Sequence, residues 1–165
     1  MKEKERLFKS AFDAYHQKIF HLCYAYTADP DIASDLVQDT FLKVWEHLDT
    51  FKNNSSIGTW IYRIGVNTCL AFIKIGKRIP TESINEQVME SFAEADNSIN
   101  QKVSLLYQCI AQLQESERLL ITMVLDEIPY SEIAEISGIS EGNLRVKIHR
   151  IKQQLTELYK RYERV

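Results

Sequence analysis

Glycine and proline are scarce in this chain, and where the few of them fall limits what it can fold into. Five glycines and three prolines occur among 165 residues, roughly 5% where soluble proteins average about 12%. Sheets connected by many tight turns need these residues at the turns, so the scarcity points away from a sandwich or barrel. The breakers also stand at seams. Pro30, in Ala28-Asp29-Pro30-Asp31, separates two helical patterns and leaves Asp29 or Asp31 to cap the second. Gly76 and Pro80 bracket the end of a third pattern, Pro129 precedes a fourth, and Gly138 follows it. Between the seams apolar residues recur at helical spacing: Leu7, Phe8, Phe12, Tyr15, Ile19 and Leu22, then Ile32, Ala33, Leu36, Val37, Phe41, Val44 and Leu48, then Ile61, Ile64, Leu70 and Ile73. No alternating stretch of useful length interrupts them, and the expected fold class is all-α.

Residues 81–101 are acidic, poorly periodic and weak in large aliphatics, the composition of a linker. Periodicity resumes at Val103, Leu106, Ile110 and Leu113. The expected organisation is therefore two small helical domains, residues 1–80 and 102–165, joined by the acidic linker 81–101. Charge follows the same seams. The formal net charge is -3, which alone argues against nucleic acid. Yet residues 57–80 hold four basic groups and no acidic one, and residues 140–165 hold seven basic and three acidic. The segment between them, residues 81–139, holds two basic and eleven acidic groups. Each basic segment alone is also compatible with an ordinary solvated helix face.

Several function classes drop out. Cys23, Cys69 and Cys109 lie far apart, with no zinc or redox spacing, and read as reduced, buried thiols. His16, His21, His47 and His149 are scattered, so no metal site is expected. The first twelve residues mix charges and lack the apolar core of a signal peptide. The most apolar window, residues 57–76, contains Arg63, Asn67 and Lys74, so no membrane insertion is expected and the reading is an intracellular, cytoplasmic protein. No nucleophile–base pair, glycine-rich phosphate loop or metal set suggests an enzyme, a small-molecule substrate or a cofactor.

The strongest local signal begins at Tyr130. Ile133, Ala134 and Ile136 suit one short amphipathic helix, with Ala134 small where a second helix must come close. Gly138 can take the left-handed conformation that ends it, Ile139 tucks inward, and Ser140 can cap the next helix. That helix has a stripe of Leu144, Ile148, Ile151, Leu155 and Leu158, while Asn143, Arg145, Lys147, Arg150 and Lys152 occupy its other face. This is the grammar of a C-terminal helix-turn-helix, whose second helix enters the major groove. A plain helical hairpin with a basic solvent face is the competing reading.

Two further stretches stand out in the N-terminal half. Between Asp35 and Glu46 the polar stripe Asp35, Gln38, Asp39 and Glu46 is interrupted by an apolar Leu42, the look of a partner-facing helix or of one stray surface leucine. Trp60, Tyr62, Arg63 and Asn67 lead into Lys74, Lys77 and Arg78. Aromatics interleaved with cations suit single-stranded nucleic acid, although Trp60 and Tyr62 also fit a core.

Together these residues resemble the sigma-70 family of bacterial RNA polymerase sigma factors, in its small two-domain, extracytoplasmic-function form, over nearly the whole chain. Asp35-Leu-Val-Gln-Asp-Thr-Phe with Trp45 is similar to the helix of region 2 that docks on core RNA polymerase, which implies Asp35, Gln38, Asp39, Leu42, Trp45 and Glu46 as the contact. Trp60-Ile-Tyr-Arg-Ile with Asn67 is similar to the helix that melts and reads the promoter −10 element. That resemblance implies Trp60, Arg63, Asn67, Lys74, Lys77 and Arg78 on melted DNA, with Lys52 and Asn53 from the 51–56 loop helping to hold a flipped base. The segment from Glu117-Arg118 to Arg150 is similar to region 4, and implies Ser140, Asn143, Arg145, Lys147, Arg150 and Lys152 on the −35 element. The implied partners are core polymerase, promoter DNA and an anti-sigma factor, and the acidic connector would pass near the polymerase cleft. The chain departs from the family pattern at Gly65-Val66, at Ala71 and at Ile151-Lys152-Gln153-Gln154. The alternative reading is a polymerase-independent helix-turn-helix regulator that binds duplex operators as a dimer.

Overall fold

A computed structural model describes residues 2–74 and 97–164, and all regular elements among them are helical. The N-terminal module comprises α1 (Lys2–Thr27), α2 (Pro30–His47), a single 3-10 turn (Leu48–Thr50) and α3 (Ile57–Lys74). The C-terminal module comprises α4 (Asn97–Ala111), α5 (Glu115–Leu125), α6 (Tyr130–Ser137) and α7 (Glu141–Glu163). Helix α4 starts inside the segment expected to be a linker; in the sequence Ile99 stands four residues before Val103, at helical spacing with Leu106 and Ile110. Lys77, Arg78 and most of the acidic connector lie outside the described residues.

Local chemistry sets the helix boundaries. Of the two candidate caps of α2 it is Asp29 that acts, its carboxylate accepting the N–H groups of Asp31 (2.9 Å) and Ile32 (3.1 Å) with Pro30 at the first helical position. The hydroxyl of Ser56 accepts the N–H of Thr59 at 3.1 Å and starts α3. The Glu117 carboxylate reaches back to the N–H of Gln114 at the start of α5 (3.2 Å). Gly138 ends α6 at φ 74°, its N–H on the carbonyl of Ala134 (2.9 Å), and Ser140 then accepts the N–H of Asn143.

Helix α1 is the spine of the molecule. Its Ile19, Leu22, Cys23 and Tyr26 are fully buried, and it packs against α2, α3 and α5. Helix α3 comes unusually close to it. A Cβ on Gly65 would lie 3.2 Å from Ile19 Cδ1, and one on Gly58 2.5 Å from the Tyr15 hydroxyl. These glycines, seven residues apart on one face, give up roughly 1 kcal/mol of helix propensity each for that approach. The departure at Gly65-Val66 thus has a packing cause. At the outer end, Phe12 meets Phe41 at a ring distance of 4.9 Å and Phe8 meets Trp45 at 5.2 Å.

The two modules clasp each other. Arg118, only 9% exposed, sends its guanidinium to the carbonyls of Leu113 (3.0 Å) and Tyr26 (3.1 Å), near the C-terminal ends of α4 and α1, where helix dipoles favour a cation. Burial lowers its pKa from the ordinary value. Asp126, just past α5, accepts the hydroxyl of Tyr62 from α3 (3.3 Å) and faces the ring nitrogen of His21 from α1 (3.2 Å). Burial, then the adjacent Asp126 carboxylate, push the Tyr62 phenol far above its usual range, so it remains a donor. Helix α6 completes the contact by packing against α3.

All three cysteines are buried and unpaired, as expected. Cys23 and Cys69 also meet across α1 and α3, with sulfurs 3.7 Å apart. That contact, followed by burial, raises the Cys23 thiol well above its ordinary value, which makes it a poor nucleophile.

Candidate functional site

Helix α2 shows two faces. Ala33, Leu36, Thr40, Phe41 and Val44 are buried, while Asp35, Gln38, Asp39 and Glu46 are exposed around Leu42. Leu42 is 59% exposed, the most exposed large apolar side chain of the described residues. An acidic rim around an apolar centre therefore exists in space and not only in the sequence. Trp45 belongs elsewhere: it is half-buried against Phe8, with the Lys4 ammonium 4.6 Å above its ring. It holds α2 to α1 rather than standing in the outward stripe.

The second cluster is built by the loop after α2. Phe51 lies 4.9 Å from the half-buried Trp60 and holds residues 51–56 against the first turn of α3. Lys52 and Asn53 are exposed in that loop, and Asn53 takes the left-handed conformation at φ 54°. Among the described side chains of α3, Arg63, Asn67, Leu70 and Ala71 are exposed. Tyr62 is core, as one of the two readings of these aromatics held. Arg63 already has a partner, its guanidinium donating to the carbonyl of Glu135 on α6 at 3.2 Å. Lys74 closes the helix.

The third cluster is the outward side of α7. Leu144, Ile148 and Ile151 are buried, and Asn143, Arg145, Lys147, Arg150 and Lys152 are exposed. Ser140 serves as the N-cap. Arg145 is held in place, paired with Glu141 at 2.8 Å and lying 5.0 Å over the ring of Tyr130. Lys147 and Lys152 flank the buried stripe on either side, whereas Arg150 points further outward.

Three features of these sites emerge in the structure. The clasp residues Arg118 and Asp126 carry no local signature, since the partners Tyr26, Tyr62 and His21 lie 64 to 105 positions away. Glu141 and Tyr130 restrain Arg145, a role that the basic pattern of α7 does not announce. Gly142 and Val146 sit opposite the buried stripe, and the signal was available: both are half a helical turn from Leu144. Among the described residues no group of His, Cys, Asp and Glu could hold a metal ion, and no helix is long and apolar enough to cross a membrane.

Comparison with known proteins adds independent findings. Residues 11–79 match the family model for sigma-70 region 2, and residues 104–155 match that for sigma-70 region 4. The chain is 30% identical over 167 residues to the ECF RNA polymerase sigma-E factor of Salmonella typhimurium, covering 93% of this chain and 87% of that protein. It is 31% identical over 170 residues to the ECF RNA polymerase sigma factor SigW of Bacillus subtilis, covering 92% and 90%. In fold it is similar to the sigma factor RpoE solved in complex with the anti-sigma factor NepR from Bartonella quintana, with a TM-score of 0.74, 19% identity and coverage of 93% and 96%.

Proposed function

The chain belongs to the sigma-70 family in its extracytoplasmic-function form, a non-enzymatic factor of transcription initiation, and on that premise we propose how its surfaces divide the work. The exposed face of α2 docks on core RNA polymerase, with Leu42 seated in an apolar site and Asp35, Gln38, Asp39 and Glu46 facing cations around it. Trp45 supports that face by fixing α2 on α1. The exposed strip of α3, with Trp60 and the loop bearing Lys52 and Asn53, receives the melted −10 element. There Arg63 and Asn67 offer hydrogen bonds, and bases can stack on the free side of the half-buried indole. Lys74, Lys77 and Arg78 follow in the sequence and supply charge for phosphates. Helix α7 reads the −35 duplex, Arg150 and Asn143 toward base edges and Lys147, Lys152 and Arg145 toward the phosphate walls.

The observation that carries this reading is Leu42. An exposed leucine ringed by acid on a helix remote from the helix-turn-helix suits docking on a second protein, which a polymerase subunit needs and an operator-binding regulator does not. Run-off transcription with purified core polymerase and a promoter library is the test. Promoter-specific transcripts are expected, and none from any promoter refutes the reading. Leu42→Arg abolishes holoenzyme formation, read by co-elution with core polymerase, while leaving urea stability within about 0.5 kcal/mol. Tight palindromic binding without polymerase would instead favour the regulator. Core polymerase and the chromosome place the working protein in the cytoplasm. Capture by an anti-sigma factor, the state in which the solved RpoE neighbour was seen, is part of the same proposal.

A further inference from the structure

Helix α7 is oriented by its buried side. With Leu144, Ile148 and Ile151 facing the core, a 100° step per residue puts Gly142 and Val146 at the centre of the opposite side, the part that goes deepest into a groove. Val146 is 52% exposed. At Gly142 a Cβ would meet no atom within 4 Å, so nothing in the fold requires a glycine there. Both residues also work against the helix: glycine costs backbone entropy and valine loses rotamers, at a site where packing repays neither. The charged residues stand to the sides, and Arg145 is drawn to Glu141 and Tyr130. In the first two turns of α7 the centre of the reading face is thus apolar and, one turn before Val146, without a side chain; the polar Gln153 continues it two turns on.

The major groove offers one apolar feature that distinguishes base pairs, the C5 methyl of thymine. We infer that Val146 is a specificity-determining residue that reads a thymine methyl in the −35 element, with Gly142 letting the helix sink far enough to touch it. This rests on the assignment of α7 to the −35 duplex and deepens it. Arg150, one turn beyond Val146, lies on the same side and contacts a neighbouring base pair.

The test uses the full chain assembled with core polymerase. A duplex library randomised over the −35 element is selected by this holoenzyme, and the recovered site is resynthesised with deoxyuridine in place of each thymidine. Uracil pairs like thymine but lacks the methyl. At one position the substitution should weaken binding about four-fold, the ~0.8 kcal/mol of one buried methyl-sized group. Val146→Ala should bind the thymine and uracil duplexes equally, while Arg150→Glu should weaken both and keep their ratio. Gly142→Gln should weaken both duplexes and erase the methyl effect. Selection of a −35 element without thymine, or a uracil effect that survives in V146A, overturns the inference. If selection enriches no −35 sequence and R150E binds as the wild type does, the assignment of α7 itself fails. Circular dichroism melting of V146A, expected at or slightly above the wild-type temperature because alanine favours the helix at this exposed site, separates reading from folding.

Discussion

Helices α3 and α7 are both proposed to touch DNA, yet they are built in opposite ways. Helix α3 is a core element that keeps a narrow exposed strip: α1 and α2 pack against it, α6 does too, and Arg63 is already bonded to the carbonyl of Glu135. Helix α7 buries only Leu144, Ile148 and Ile151 and leaves most of its circumference to solvent. Stability and recognition are therefore entangled in α3 and separable in α7. A substitution at the exposed strip of the first affects folding as well as contact with DNA, whereas one of a charged side chain on the outward face of the second affects chiefly contact.

The largest effect should come from the clasp that holds α3 in place. Arg118→Met leaves two buried carbonyls without their donor and should cost roughly 2–4 kcal/mol in urea unfolding; a change under 1 kcal/mol would mean the modules are not mechanically joined. Paired glycine substitutions come next. Gly65→Val drives a side chain into Ile19 and should destabilise by about 1–3 kcal/mol, whereas Gly142→Ala on α7 meets open space and should stabilise by about 0.5–1 kcal/mol. Equal signs for the two would erase the contrast between the helices. Asp126→Ala removes the acceptor of Tyr62 and the partner of His21, about 1–2 kcal/mol, and small-angle scattering should then show a larger radius of gyration. The smallest change in stability belongs to Arg150→Glu, within about 0.5 kcal/mol. It should nonetheless weaken −35 binding by the roughly 1–3 kcal/mol of a lost base contact, measured by fluorescence anisotropy with the holoenzyme.

Much of α7 and its approach was legible in advance because its signals are local. Gly138, Ser140 and the Leu144–Ile148–Ile151 stripe each act within one or two turns, and the structure uses all of them. The same holds for Asp29 and Pro30 at the start of α2. Helix α3 was harder, since one segment has to satisfy the core and a surface at once: Tyr62 and Trp60 carry the same aromatic signal, but one is buried and bonded to Asp126 while the other keeps a free side. Trp45, which only the family resemblance assigns to the polymerase contact, is ambiguous for a related reason. Its position borders both faces, and only Phe8 and Lys4, some forty residues away, decide between them. The clasp was illegible because a cation seeking two helix ends or a carboxylate seeking a phenol leaves no period in the sequence.

The clasp can also be viewed as an intramolecular binding equilibrium. Two modules on one chain meet at an effective concentration on the order of millimolar, so a contact that would have a dissociation constant of about 10 μM between separate pieces, roughly −7 kcal/mol, keeps them joined about a hundred to one. Modest contacts through Arg118, Asp126 and Arg63 are enough to hold the free chain closed. Any partner that needs the two reading helices apart must outcompete that tether, while the Leu42 face of α2, which takes no part in it, can be engaged from the start. On the proposed division of surfaces, this favours an order of events in which the α2 face is engaged before the exposed strip of α3 is released.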